Sequence, residues 1–138
     1  MSLPLTMTRL ILYVRDVPRL RAFYQSHFGL ALVEEIGDDR GDDWAVLKAG
    51  AIEIALHRVG EPYRDLAESH RKLAMSAETS NAKLVFTVET GLPELRDRLV
   101  AAGVAMRPLK RFDGYPQLMC DGEDPEGNVF QLAQPDAI

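Results

Sequence analysis

The chain carries one structural plan twice. Residues 10–32 run LILYVRD, VPRLRAFYQSHF and GLAL, which read as a strand, a capped helix and a second strand. The plan returns 74 positions later in LVFTVETGLPELRDRLVAAGVAM, with Gly29 recurring as Gly103 and Val14 as Val88. Each copy has an apolar helix stripe and an apolar strand face that need cover, so the repeat restricts the fold more than composition does.

In the first copy Leu10, Leu12 and Val14 point one way, and Arg9, Ile11 and Tyr13 the other. Asp16 and Pro18 then open a helix: Asp accepts from free amides at the start, and Pro is tolerated in the first turn. Leu20, Phe23, Tyr24 and Phe28 form its stripe, and Gly29 closes it as a left-handed cap. Strands follow at 30–36, 44–47 and 52–57, the first two separated by the acidic turn GDDRGDD at 37–43. Ile52, Ile54 and Leu56 share one face of the last strand, and Glu53, Ala55 and His57 the other.

The second copy starts at Lys83. Leu84, Phe86 and Val88 alternate with Lys83, Val85 and Thr87. Thr90 or Gly91 caps a helix with Leu95, Leu99 and Val100 on its buried face, ended by Gly103. Strands are expected at 104–109, 117–121 and 129–133, with the turn GEDPEGN before the last. The expected organisation is one domain, 1–138. It comprises repeat one at about 8–58, a polar connector at about 59–81 and repeat two at about 82–135. The fold class is α+β: two tandem βαβββ units forming a curved, mainly antiparallel sheet around a concave cleft, helices outside.

The 138 residues are 46% hydrophobic and 27% charged, enough for a proper core. No apolar run reaches the roughly 18 residues of a membrane span. MSLPLTMTR has no basic start followed by an apolar core, so no secretory signal is expected. A net charge of −5 argues against electrostatic capture of nucleic acid. Cys120 is the single cysteine, which excludes an intrachain disulfide and makes a reducing cytoplasm the default.

Several residues together resemble the glyoxalase/bleomycin-resistance/extradiol-dioxygenase superfamily, the vicinal oxygen chelate fold. They are Val14 and Asp16 before the first helix, Phe23 and Tyr24 inside it, and Gly29 and Leu30 after it. Asp124, Pro125, Gly127 and Asn128 add the late turn. The resemblance covers roughly residues 8 to 135. It implies lyases, isomerases, epimerases, dioxygenases, thiol transferases or non-catalytic drug binders, so fold alone does not select a function. It also implies a homodimer.

Metal-dependent members of that superfamily place four ligands on the inner strands. The resemblance carries those positions onto Arg9, Glu53 (or Ala55 after a two-residue shift), Lys83 and Gln131. Arg has no free lone pair and Lys must lose its proton to coordinate. One carboxylate and one amide fall short of the three protein ligands a catalytic divalent ion needs. His57 lies four residues from Glu53 on one strand, roughly 13 Å away. No metal and no cofactor are therefore expected; a divalent metal held by other ligands is the alternative.

The candidate ligand-binding residues are Arg9, Tyr13, Glu53, His57, Lys83, Thr87 and Gln131, with His57 and Glu53 as candidate catalytic groups. Arg9 and Lys83 either hold an anionic or carbonyl oxygen or form internal ion pairs with Glu53. Tyr13 and Thr87 are equivalent in the repeat. His57 is a possible acid or base, or a structural strand-end residue. His27 suits the end of its helix. Trp44, Phe112 and Tyr115 are candidates for a pocket mouth, and Cys120 for a small core residue. The expected function is small-molecule binding in a metal-free cleft, with drug sequestration as its form. The alternative is a glyoxalase-like lyase or isomerase, metal-free or metal-dependent.

Overall fold

The computed structural model describes residues 5–37, 42–60 and 82–137. Part of the acidic turn, 38–41, and the connector from 61 to 81 with His70 lie outside the described residues. The chain divides into two compact units, 1–67 and 68–138, each holding one copy of the repeat.

Unit 1 runs β1 (Arg9–Val14), α1 (Val17–Phe28), β2 (Ala31–Ile36), β3 (Trp44–Ala49) and β4 (Ile52–Arg58). Unit 2 runs β5 (Leu84–Thr87), α2 (Leu92–Ala101), β6 (Ala105–Met106), β7 (Gln117–Glu123) and β8 (Val129–Pro135). The sheets have orders β1-β4-β3-β2 and β5-β8-β7-β6. In each, the first and last strands of the unit pair in parallel, and the other two pairings are antiparallel. This is the tandem βαβββ, α+β arrangement that the sequence predicts. No helix among the described residues is long and apolar enough to cross a membrane.

Local chemistry explains α1. The Asp16 carboxylate accepts from the Arg19 amide at 3.1 Å, satisfying one of the orphan donors at the helix start. Gly29 takes φ 66°, and its amide donates to the Gln25 carbonyl. Val17, Leu20, Phe23 and Tyr24 are buried, and the helix packs on β3 and β4. His27 lies edge-on to Phe23, ring centroids 5.0 Å apart.

Helix α2 is capped differently. Gly91, at φ 80°, supplies no side chain, and the Leu92 amide instead donates to Oε1 of Gln134 on β8 at 2.8 Å. Leu92 and Leu99 are buried. Val100, expected on the buried face, is 48% exposed. One residue beyond Leu99 is a turn of about 100° around the helix, which carries Val100 off the stripe.

The strand expected at 104–109 is only Ala105–Met106, followed by a single bridge between Lys110 and Met119. Pro108 has no amide to continue the ladder. Conversely β7 extends past Asp121 to Glu123. Gly122 allows this: a Cβ there would stand 2.5 Å from both Met106 Sδ and Phe130 Cζ. The fully buried Phe130 ring occupies the space a side chain would need. In the following turn the buried Asp124 accepts from the amides of Glu126 and Asn128 and from Asn128 Nδ2. The motif is thus a self-contained Asx turn.

Candidate functional site

In both units the helix covers one face of the sheet, and the candidate residues lie on the other. Alternation places them there: on β1, Leu10, Leu12 and Val14 are the more buried residues, and Arg9, Ile11 and Tyr13 are exposed.

The open face of unit 1 holds two linked groups. Register sets Arg9 opposite Glu53. The Arg9 guanidinium donates from Nε and Nη2 to Glu53 Oε1, at 3.1 and 2.8 Å, and Glu34 Oε1 lies 4.0 Å from Nη2. The guanidinium also stands over the Trp44 ring, 5.6 Å from its centroid, while Trp44 Nε1 donates to Glu34 at 3.0 Å. Trp44 and Tyr13 both pair with His57 in register. The His57 ring meets Trp44 edge-on at 5.6 Å and Tyr13 at 5.0 Å. His57 Nδ1 lies 2.8 Å from the Arg58 carbonyl. A carbonyl only accepts, so in neutral His57 this nitrogen carries the proton and Nε2 is the basic one.

The open face of unit 2 centres on Asp121, a residue that sequence reasoning did not single out. Its side chain is 3% exposed. Oδ2 accepts from Lys83 Nζ and from Lys110 Nζ, each at 3.0 Å, and Oδ1 accepts from Gln131 Nε2 at 3.0 Å. Burial alone would raise its pKa. The hydrogen bonds from Lys83, Gln131 and Lys110, with the Lys110 charge, outweigh this and hold the carboxyl below its ordinary range. Lys83 and Gln131 are thus brought together through Asp121. Thr87 lies exposed at the end of β5, opposite Ala133. The available signal for Asp121 was a lone carboxylate in the strand QLMCDGE, on the same face as Gln117 and Met119. Lys110 gave less signal, since it reads as the start of a loop.

The flanking candidates divide. Trp44 is half-buried within the unit 1 group, whereas Phe112 and Tyr115 are exposed, with Lys110 Nζ 5.5 Å from the Phe112 centroid. Cys120 is fully buried opposite Leu132, and burial pushes its thiol pKa up, as befits a core residue and not a nucleophile.

At Arg9, Glu53, Lys83 and Gln131 the donor chemistry does not fit a divalent metal. Arg9 and Lys83 occupy equivalent places in the two repeats and donate to carboxylates. Ile11 lies opposite Ala55 and its repeat equivalent Val85 lies opposite Gln131, so the counterpart of Gln131 in unit 1 is Ala55, which has no donor. Glu53 stands two residues earlier, engaged by Arg9. Among the described residues no three His, Cys, Asp or Glu side chains group closely enough to hold an ion.

A sequence model of the Glyoxalase/Bleomycin resistance protein/Dioxygenase superfamily matches residues 6–132. No curated protein matches the sequence. Among solved structures, TnmS3, an antibiotic binding protein from Streptomyces sp. CB03234, is similar with a TM-score of 0.70 and 18% identity, over 98% of this chain and 100% of that one. The fosfomycin resistance protein FosX from Listeria monocytogenes gives 0.67 and 18%, over 97% and 94% of the two chains. Lactoylglutathione lyase from Agrobacterium tumefaciens gives 0.67 and 16%, over 96% of each. At these identities the likeness shows the fold alone.

Proposed function

The chain belongs to the glyoxalase/bleomycin resistance protein/dioxygenase superfamily, and we propose that it binds a small organic molecule without a metal, as a drug-sequestering member would. The observation that carries this reading is the pairing of Arg9 and Lys83. Two basic side chains stand at equivalent positions of the repeat, each held by a carboxylate, where an ion would need electron-pair donors. The exposed Tyr13 and His57 beside Trp44 supply apolar surface with polar edges, the usual composition of a small-molecule site. An antibiotic binding protein and a fosfomycin resistance protein among the structural relatives support the class of ligand. A cytoplasmic homodimer belongs to the same reading. So does an absence of nucleic-acid and membrane partners, in keeping with the net charge of −5.

The test is a thermal-shift screen of antibiotics and other small organic molecules, together with metal analysis of protein purified without added metal. A ligand selective for the native state raises the melting temperature, and the rise grows with the logarithm of its concentration above its Kd. A screen without a hit, or stoichiometric Zn, Ni, Fe or Mn that is lost in Glu53→Ala, overturns the reading.

The Nδ1 contact of His57 favours a second reading, a metal-free lyase or isomerase with Nε2 of His57 as general base. Turnover of a bound ligand, abolished in His57→Ala with binding retained, would establish it over the binder.

A further inference from the structure

We infer that the open face of unit 2 carries an oxyanion subsite formed by Lys83 and Lys110 and organised by Asp121. The subsite takes a small organic anion, a carboxylate or phosphonate on an apolar body. The inference rests on the reading of this protein as a small-molecule binder and names the chemistry of the ligand's head group.

The cluster is built and it is unbalanced. Asp121 is nearly fully buried, and both ammonium groups converge on the same oxygen, Oδ2, at 3.0 Å. Two nitrogens bound to one oxygen at 3.0 Å lie no more than about 6 Å apart, a span that the two oxygens of one carboxylate or phosphonate can bridge. Two cations and one anion leave the cluster with one net positive charge. A second carboxylate on this face, Glu123, is already engaged by Arg107 at 3.1 Å.

Exposure shows where that charge is available. The Lys83 and Lys110 side chains are 31% and 34% exposed, so both can be reached from solvent. An ammonium has three N–H donors, and each spends one on Asp121, which leaves donors for a ligand.

The sheet explains how two such lysines meet. Lys83 precedes β5 at one edge, while Lys110 bridges to Met119 near the other. Asp121 on β7 draws both inward, and Gln131 on β8 fixes Oδ1 so that the carboxylate cannot turn away. Asp121 and Gln131 are therefore positioning residues. The apolar part of the ligand has surface nearby. Val85, opposite Gln131, is 59% exposed, and the exposed Phe112 ring lies beside Lys110.

Among the described residues of unit 1 the equivalent group has no such surplus, since Arg9 faces both Glu53 and Glu34. The subsite is thus a property of the second repeat alone.

The experiment titrates the full chain with benzoate, phenylphosphonate, neutral benzamide and inorganic phosphate by calorimetry at low and moderate salt. Benzoate or phenylphosphonate should bind at least ten-fold more tightly than benzamide, and more weakly as salt rises. Phosphate should bind more weakly than phenylphosphonate if the apolar body contributes. Lys83→Gln and Lys110→Gln should each lower anion affinity about ten-fold. Arg111→Gln removes the same charge from an exposed pair with Asp136 and should leave affinity within about two-fold. Equal binding of benzamide and benzoate overturns the subsite without needing any variant. So does loss of affinity that is the same in all three variants. If screened neutral molecules bind and no anion does, the subsite fails while the binder reading stands; if nothing binds, the binder reading fails with it.

Discussion

In residues 1–67 one arginine on the open face meets two carboxylates, whereas in residues 68–138 two lysines meet one. The sheets beneath have the same strand order and the same mixture of parallel and antiparallel pairs. The apolar alternation that builds the scaffold thus places little demand on which polar residues its open face carries. Burial separates the two arrangements further. Arg9 and Glu53 are about one-third exposed, so water screens their attraction, while Asp121 depends on its three donors for nearly all its solvation.

The comparison can be tested first in the core. Leu47 on β3 lies opposite Ile54, and Gly122 on β7 lies opposite Phe130, the same place in the two repeats filled by two aliphatic residues in one and by a glycine and an aromatic ring in the other. Leu47→Ala should cost about 3 kcal/mol in urea denaturation, through lost burial and the cavity left. Gly122→Ala should cost about 2 kcal/mol for the opposite reason, since the new methyl group meets Phe130 and Met106. A neutral Gly122→Ala would show that Phe130 and Met106 can give way to a methyl group at no cost.

The charged clusters come next. Asp121→Ala should destabilise by about 2 kcal/mol, because it leaves Lys83, Lys110 and Gln131 without their shared acceptor. Glu53→Ala should cost less than about 1 kcal/mol, as for an exposed pair. Equal costs measured by the same denaturation would remove the distinction drawn here.

Acid sharpens the same contrast. The folded-state pKa of Asp121 lies below its unfolded value of about 3.8, so its contribution to stability is complete above that pH. The contribution is lost as the pH falls through the lower, folded value. Asp121→Asn should therefore lose less stability than the parent protein on acidification below about 4, measured as melting temperature against pH. A parallel pair of curves would show that the carboxyl is not held below its ordinary range.

The smallest effects concern the helix starts. Asp16→Ala removes a cap local to α1, and Gln134→Ala removes one that α2 receives from β8; each should cost about 1 kcal/mol. Amide exchange should then rise in the first turn of α1 alone for Asp16→Ala. For Gln134→Ala it should rise in α2 and in β8 as well, because that bond joins two elements.

The repeat, both helices, the capping residues Asp16 and Gly29 and the faces of β1 and β4 were legible in the sequence. Each depends on residues close together in the chain, through 3.6- and 2-residue periods and the φ angles of Asp, Pro and Gly. The short β6 was legible in principle from Pro108. Val100 was not separable from Leu99 by apolarity, since only the seating of α2 on its sheet decides which of two adjacent residues is covered.

For the candidate site, the family resemblance singled out Arg9, Glu53, Lys83 and Gln131. It could not choose their partners. Those depend on strand register: Arg9 opposite Glu53, Val85 opposite Gln131 and Asp121 opposite Gln131. Shifting a strand by one residue turns every side chain to the other face, and shifting it by two keeps the face but changes each neighbour. Periodicity therefore fixed the faces of β1 and β4. Only the tertiary structure decided that Arg9 belongs to Glu53 and that Lys83 shares Asp121 with Lys110, because hydrogen bonds between strands distant in sequence set those distances.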